Sequence, residues 1–116
     1  MRILVIDDSP FVAKAVTKAV EGTEHSVVDN ALNGQMGVEK YLELKPDVIT
    51  LDVTMPIMDG LETAKKLFGL NPDVKIILLS AMGDESLHNE AREIGIKHFL
   101  TKPFKPEDLQ AKLAEV

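Results

Sequence analysis

The sequence predicts an α/β fold in which five parallel strands alternate with five helices that cover both faces of the sheet. Three observations predict it: short apolar, β-branched runs recur along the whole chain, stretches with helical spacing separate them, and helix-start signals fall at the junctions. Residues 3–6 (ILVI) are too short a run for a helix and end on Asp7 and Asp8. Ser9-Pro10 then offers an N-cap and a proline at the first helical position, ahead of Phe11, Val12, Ala15, Val16, Ala19 and Val20 at helical spacing. Val27 and Val28 give the weakest strand signal, and Val38, Tyr41 and Leu42 mark a second helix. Residues 48–51 (VITL) form the third strand, and DGLE at 59–62 has the spacing of a capping box before Leu61, Ala64, Leu67 and Phe68. Residues 76–79 (IILL) are followed by Leu87, Ala91 and Ile94. Residues 99–100 are followed by Pro106, Glu107 and Asp108, a proline-and-acid first turn before Leu109, Leu113 and Val116. Strands apolar on both sides and separated by helices require a parallel sheet with right-handed crossovers. Such sheets bind ligands at the carboxyl ends of the strands, where the strand order reverses.

Composition bounds the function. The 116 residues suffice for one domain, 1–116, that buries roughly two thirds of the surface its unfolded chain would expose. A 45% hydrophobic content fits a globular protein, and no apolar run is long enough to span a bilayer, so a soluble, cytoplasmic protein without membrane contact is expected. The net charge of -6 speaks against direct nucleic-acid binding, which needs a basic footprint. With no cysteine, disulfides, thiol catalysis and zinc-thiolate sites are excluded. Neither GxGxxG nor GxxxxGKS occurs, which leaves dinucleotide binding and P-loop hydrolysis without support. His25, His88 and His98 show no ligand spacing and read as ordinary surface or half-buried residues, and Lys65-Lys66 as a solvated helix face.

The polar residues that end the strands all fall on the same edge: Asp7 and Asp8, Asp52, Ser80, and Thr101 with Lys102. Each alone has a structural reading as a cap, turn or surface charge. Together, with strands one and three adjacent, Asp7, Asp8 and Asp52 would converge and raise one another's pKa unless neutralised. A hard divalent cation such as Mg²⁺ meets that need, and Lys102 adds a further positive charge. A metal, a lysine and a hydroxyl around one carboxylate suggest phosphoryl transfer with Asp52 as nucleophile.

The combination DDS, LDVTMPIMDG, LLSA and TKPF at these spacings resembles the receiver domain of bacterial two-component response regulators, the chemotaxis-type single-domain regulators included, over essentially the whole chain. The resemblance implies the strand order 2-1-3-4-5 of a flavodoxin-like (βα)5 fold, which the strand pattern alone does not determine. It implies that Asp52 accepts a phosphoryl group from a sensor histidine kinase. Asp7, Asp8 and Asp52, with the backbone carbonyl of Thr54, would hold Mg²⁺. Ser80 and Lys102 would bond phosphoryl oxygens, and Phe99 would swing inward when Ser80 moves. The Lys102–Pro103 bond is similar to one that is cis in the family. The protein would then be a signalling switch that catalyses only its own phosphoryl transfer and autodephosphorylation. Its output partner is unknown, and its output face would run over the fourth helix, fifth strand and fifth helix.

Some departures qualify that picture. Phe99 stands where many relatives have tyrosine, so it can bury a ring without a hydroxyl to bond. Thr54 and Met82 flank the path of attacking water in the family, and Met82 can neither position nor deprotonate it. A phosphorylated form longer-lived than in relatives with an acid there is expected, and an unchanged hydrolysis rate in Met82→Glu would end that expectation. Pro56, Met58, Asp59 and Gly60 read as turn and cap chemistry, and Met55 as a core residue. Two other functions use the same residues. A Mg²⁺-dependent phosphatase would share Asp52, Ser80 and Lys102, but resembling hydrolases carry an acid where this chain has Thr54, and a cap insertion for the substrate is missing. A receiver-like interaction module that is never phosphorylated would usually have lost a site residue, whereas here all are present.

Overall fold

The computed structural model describes residues 1–53 and 58–116, the side chain of Glu85 excepted. Strands β1 (Arg2–Ile6), β2 (Ser26–Ala31), β3 (Val48–Asp52), β4 (Ile76–Ala81) and β5 (His98–Lys102) alternate with helices α1 (Pro10–Ala19), α2 (Gly34–Leu44), α3 (Gly60–Leu70), α4 (Glu85–Ile94) and α5 (Pro106–Glu115). All neighbouring strands pair in parallel in the order β2-β1-β3-β4-β5, as the resemblance implied.

The period of two along each strand sorts the core into two layers. Leu4, Ile6, Ile49, Leu51, Ile76 and Leu78 face one layer with Ala64, Leu67 and Ala91 of α3 and α4. Ile3, Val5, Val48, Ile77 and Leu79 face the other with Val16 and Ala19 of α1 and Leu109 and Leu113 of α5. Both faces of the central strands are therefore dry, which is why those strands read as near-continuous apolar runs, with only Thr50 polar inside them. Two polar clamps tie neighbouring helices: Gln110 Nε2 donates to the Ala19 carbonyl at 2.8 Å, and Asn71 Nδ2 donates to the Tyr41 hydroxyl at 2.9 Å.

Strand β2 is an edge strand, half-buried over most of its length, and its pairing slips by one residue between Ile3 and Leu4, where Val28 is passed over. Half-burial and a bulge together explain the weak apolar signal at 27–28.

The helix starts hold in part. Asp59 Oδ1 accepts from the Glu62 amide at 2.9 Å, and Asp108 Oδ2 accepts from the Lys105 amide at 3.0 Å. Ser9 occupies the N-cap position of α1 with extended backbone, but its side chain caps nothing. Instead its own amide donates to Asp7 Oδ1 at 2.9 Å, so the carboxylate fixes the strand-to-helix turn. Phe11 and Leu42, counted among the apolar helix positions, are 77% and 52% exposed. No helix among the described residues is long and apolar enough to cross a membrane.

Candidate functional site

Because β1 and β3 are neighbours with Ile6 opposite Leu51, the residues that follow, Asp7 and Asp52, end adjacent strands side by side. Strand β1 has β2 on one side and β3 on the other, so this is the point where the strand order reverses, and a crevice is expected at its carboxyl end. Asp7 is fully buried, Asp52 is 5% exposed and Asp8 lies at the open mouth. Oxygens of the three carboxylates lie within 4.8 Å of one another.

Lys102, at the end of β5, crosses from two strands away. Its Nζ donates to Asp52 Oδ1 at 3.0 Å and stands 3.5 Å from Asp7 Oδ2. The Lys102–Pro103 peptide bond that follows is cis. Burial alone would lower the Lys102 pKa, but the hydrogen bond with Asp52 and the charges of Asp7 and Asp52 outweigh it and carry the net shift upward. Asp7 is pushed up from the ordinary carboxylate value, first by burial, then by the charges of Asp52 and Asp8, against the opposing Ser9 amide and Lys102. Its Oδ2 is a buried acceptor without a hydrogen bond. Three carboxylates facing one ammonium leave the pocket short of positive charge.

An all-oxygen donor set with an unsatisfied buried oxygen fits Mg²⁺ well. Asp7, Asp8 and Asp52 are the residues able to hold it. The Thr54 carbonyl expected to join them, and with it Met55 and Pro56, lies outside the described residues.

A pH dependence follows from the raised Asp7 pKa. A group whose folded pKa exceeds its unfolded value near 3.8 favours folding fully below that value and loses the contribution as pH rises through the folded pKa. At neutral pH without metal, ionised Asp7 therefore weakens the fold. Asp7→Asn is expected to raise the metal-free Tm at pH 7 by about 4 °C, the shift that ~1 kcal/mol gives a domain of this size. It should also abolish the protection that Mg²⁺ gives, and paired thermal melts with and without the metal read both effects. A lower metal-free Tm would mean that the Asp7 charge supports the fold.

Ser80 is buried at 1% exposure near the end of β4, opposite Thr101 of β5. Met82, two residues further on, is 81% exposed. Two further residues shape the site in ways that the sequence reading did not register. Gly60, taken as turn chemistry, is a close approach: its amide donates to the Val53 carbonyl at 3.0 Å, and a Cβ there would run into the Asp52 carbonyl and lie 2.7 Å from Val53 Cα. His88, taken as an ordinary half-buried histidine, has Nε2 3.1 Å from Ser80 Oγ and stacks on Phe99 with ring centroids 4.4 Å apart. The signal available for His88 was its place three residues before buried Ala91 on the inner side of α4. His25 and His98 are half-buried, near the N-terminal amine and Glu115 respectively, and Lys65 and Lys66 are exposed.

Comparison with known proteins adds to this geometry. The family profile described as the response regulator receiver domain matches residues 3–114. The chemotaxis protein CheY of Thermotoga maritima is 39% identical over 115 residues, which cover 99% of this chain and 96% of that protein. A protein-glutamate methylesterase/protein-glutamine glutaminase of Archaeoglobus fulgidus is 49% identical over 105 residues, 89% of this chain but 30% of that protein. Among solved structures, the CheX-CheY-BeF3-Mg+2 complex from Borrelia burgdorferi contains a similar chain, with a TM-score of 0.93 at 29% identity over 99% of this chain and 87% of the other.

Proposed function

This chain belongs to the response regulator receiver family, and from that premise we propose which of its residues carry out the switch and how. It is a phosphorylation-dependent switch, a signalling protein rather than a conventional enzyme. Residues 1–116 act as one receiver domain. Asp52 is the phosphoacceptor: a carboxylate oxygen attacks the phosphorus of a phosphohistidine on a sensor histidine kinase, the new P–O bond forms as the P–N bond breaks, and the imidazole leaves. Asp7, Asp8 and Asp52, with the Thr54 carbonyl, would hold Mg²⁺, which would supply charge neutralisation at the phosphoryl oxygens. Lys102 gives up part of its contact with Asp52 Oδ1 to pair with one phosphoryl oxygen. Ser80 donates to another.

The observation that supports this reading is the convergence of buried Asp52 with Asp7, Asp8 and Lys102 at one rim of the sheet. The phosphoryl group acts by population shift, since it binds the arrangement that turns Ser80 toward it better than the one that does not. Phe99 follows Ser80, and the surface of α4, β5 and α5 passes the change to an output partner. A cytoplasmic setting, free of direct nucleic-acid and membrane contact, goes with this reading.

The test is intact-mass analysis after incubation with a small acyl phosphate and Mg²⁺, beside a chelator-treated sample and an Asp52→Asn control. A single phosphoryl addition that needs both Asp52 and the metal is expected. No addition to folded, metal-bound protein would overturn the reading in favour of an unphosphorylated interaction module.

A further inference from the structure

The Ser80 hydroxyl is already engaged. His88 Nε2 on α4 lies 3.1 Å from Ser80 Oγ, and the same imidazole stacks on the Phe99 ring at an interplanar angle of 28°. The Arg92 guanidinium, one turn further along α4, lies 5.0 Å from the centroid of that ring. One α4 side chain thus touches both residues that the switch has to move. We propose that His88 is a positioning residue that latches Ser80 and Phe99 in the unphosphorylated arrangement, so that its hydrogen bond to Ser80 opposes phosphoryl binding. This inference rests on the role assigned to Ser80 above.

The strand alternation shows why the contact must break. Leu78 packs in the layer under α3 and α4 and Leu79 in the layer under α1 and α5, so Ser80, next along β4, projects to the α4 side. Asp52 is the register partner of Leu79 and shares its side of the sheet, as Lys102 shares that of Leu100. The hydroxyl that is to reach a phosphoryl oxygen on Asp52 therefore has to turn round the end of β4, away from His88. Proton counting points the same way. A phosphoryl oxygen only accepts, so the single hydroxyl proton of Ser80 must go to it. If Oγ–H donates to Nε2, that proton is already committed; if Nε2–H donates to Oγ instead, Oγ is still tethered to the wrong face. In either tautomer, phosphoryl binding costs the His88 contact. Release of Ser80 then removes the partner that fixes the imidazole over Phe99, and the ring is freed by the same event.

The test measures the equilibrium affinity for beryllofluoride, a phosphoryl mimic, at saturating Mg²⁺. His88→Leu keeps an apolar side chain against Phe99 and loses the hydrogen bond, and it is expected to bind the mimic about fivefold more tightly, the ratio that corresponds to one ordinary buried hydrogen bond. His88→Ala should shift in the same direction, which keeps the test open if one variant fails to fold. His88→Gln, whose amide can restore a bond to Ser80, should return to within about twofold of the parent. In a Ser80→Ala background His88→Leu should change nothing, a readout that a purely structural role of His88 would not produce. Mg²⁺ affinity without the mimic should be the same in all His88 variants. Unchanged or weaker binding by His88→Leu, or an effect that persists without the Ser80 hydroxyl, overturns the latch and leaves the role of Asp52 standing. A parent protein that takes up no beryllofluoride overturns the reading of Asp52 itself.

Discussion

Lys102→Met is expected to slow phosphorylation of Asp52 by roughly 100-fold, to cost ~2 kcal/mol of metal-free stability at pH 7, and yet to tighten Mg²⁺ binding. Among the described residues Lys102 is the only cation within 4.0 Å of Asp7 and Asp52. Removing one partner of a fully buried ion pair costs about 3–5 kcal/mol, and the Lys102 side chain is 27% exposed, so a figure below that range applies here. Methionine preserves the stem and its packing and so isolates the charge. The loss of stability should shrink as pH falls, because Lys102 now holds the Asp7 pKa down, and without it Asp7 protonates more readily. The metal prediction runs the other way, since an ammonium beside the carboxylates repels an incoming divalent ion. Denaturant unfolding at pH 7 and 5, a Mg²⁺ titration and a phosphorylation time course separate the three effects. Weaker Mg²⁺ binding by the variant would show that Lys102 aligns the carboxylates rather than competing for them.

Gly60→Ala should destabilise the protein by about 3 kcal/mol, a Tm loss on the order of 10 °C, although alanine is the better helix former. The first residue of α3 lies against the chain that has just left β3, and the atoms a methyl group would strike are backbone, the Asp52 carbonyl and Val53 Cα. Backbone at the end of a buried strand cannot turn aside as a side-chain tip can. What relaxation occurs must displace Asp52, so Mg²⁺ affinity should fall with stability. Gly69, in the same helix with open space around its Cα, provides the control: Gly69→Ala should stabilise by ~0.5–1 kcal/mol. If both substitutions moved the melt by the same amount and in the same direction, helix propensity would be the cause and the close approach would carry no weight.

The alternation of strands and helices was legible because burial on both faces of β1, β3 and β4 leaves runs of four buried residues, apolar but for Thr50, that suit a parallel sheet flanked by helices. The site was legible for the same reason: a carboxylate directly after such a run stands at the carboxyl rim whichever way the helices lie. The strand order was not, since it depends on which crossover passes over which face, and only the resemblance brought it. The contacts of residues whose role depends on packing across elements were not legible. Phe11 carries the period of a core residue yet faces solvent, Ser9 has the composition of a cap yet leaves its amide to Asp7, and His88 reaches Ser80 through a loop whose path no periodicity encodes. Gly60 was read by its type, when the proximity of the Asp52 carbonyl is what demands it.

Asp7, Asp52 and Lys102 are drawn from the beginning, the middle and the end of the polypeptide, and they meet only after β1, β3 and β5 have been joined through β4. A chain that stops short of β5 holds the two carboxylates without their ammonium. A copy that is still being synthesised, or that has shed its last strand, therefore carries a pocket whose charge is unbalanced: what leaves the ribosome late completes what left it first.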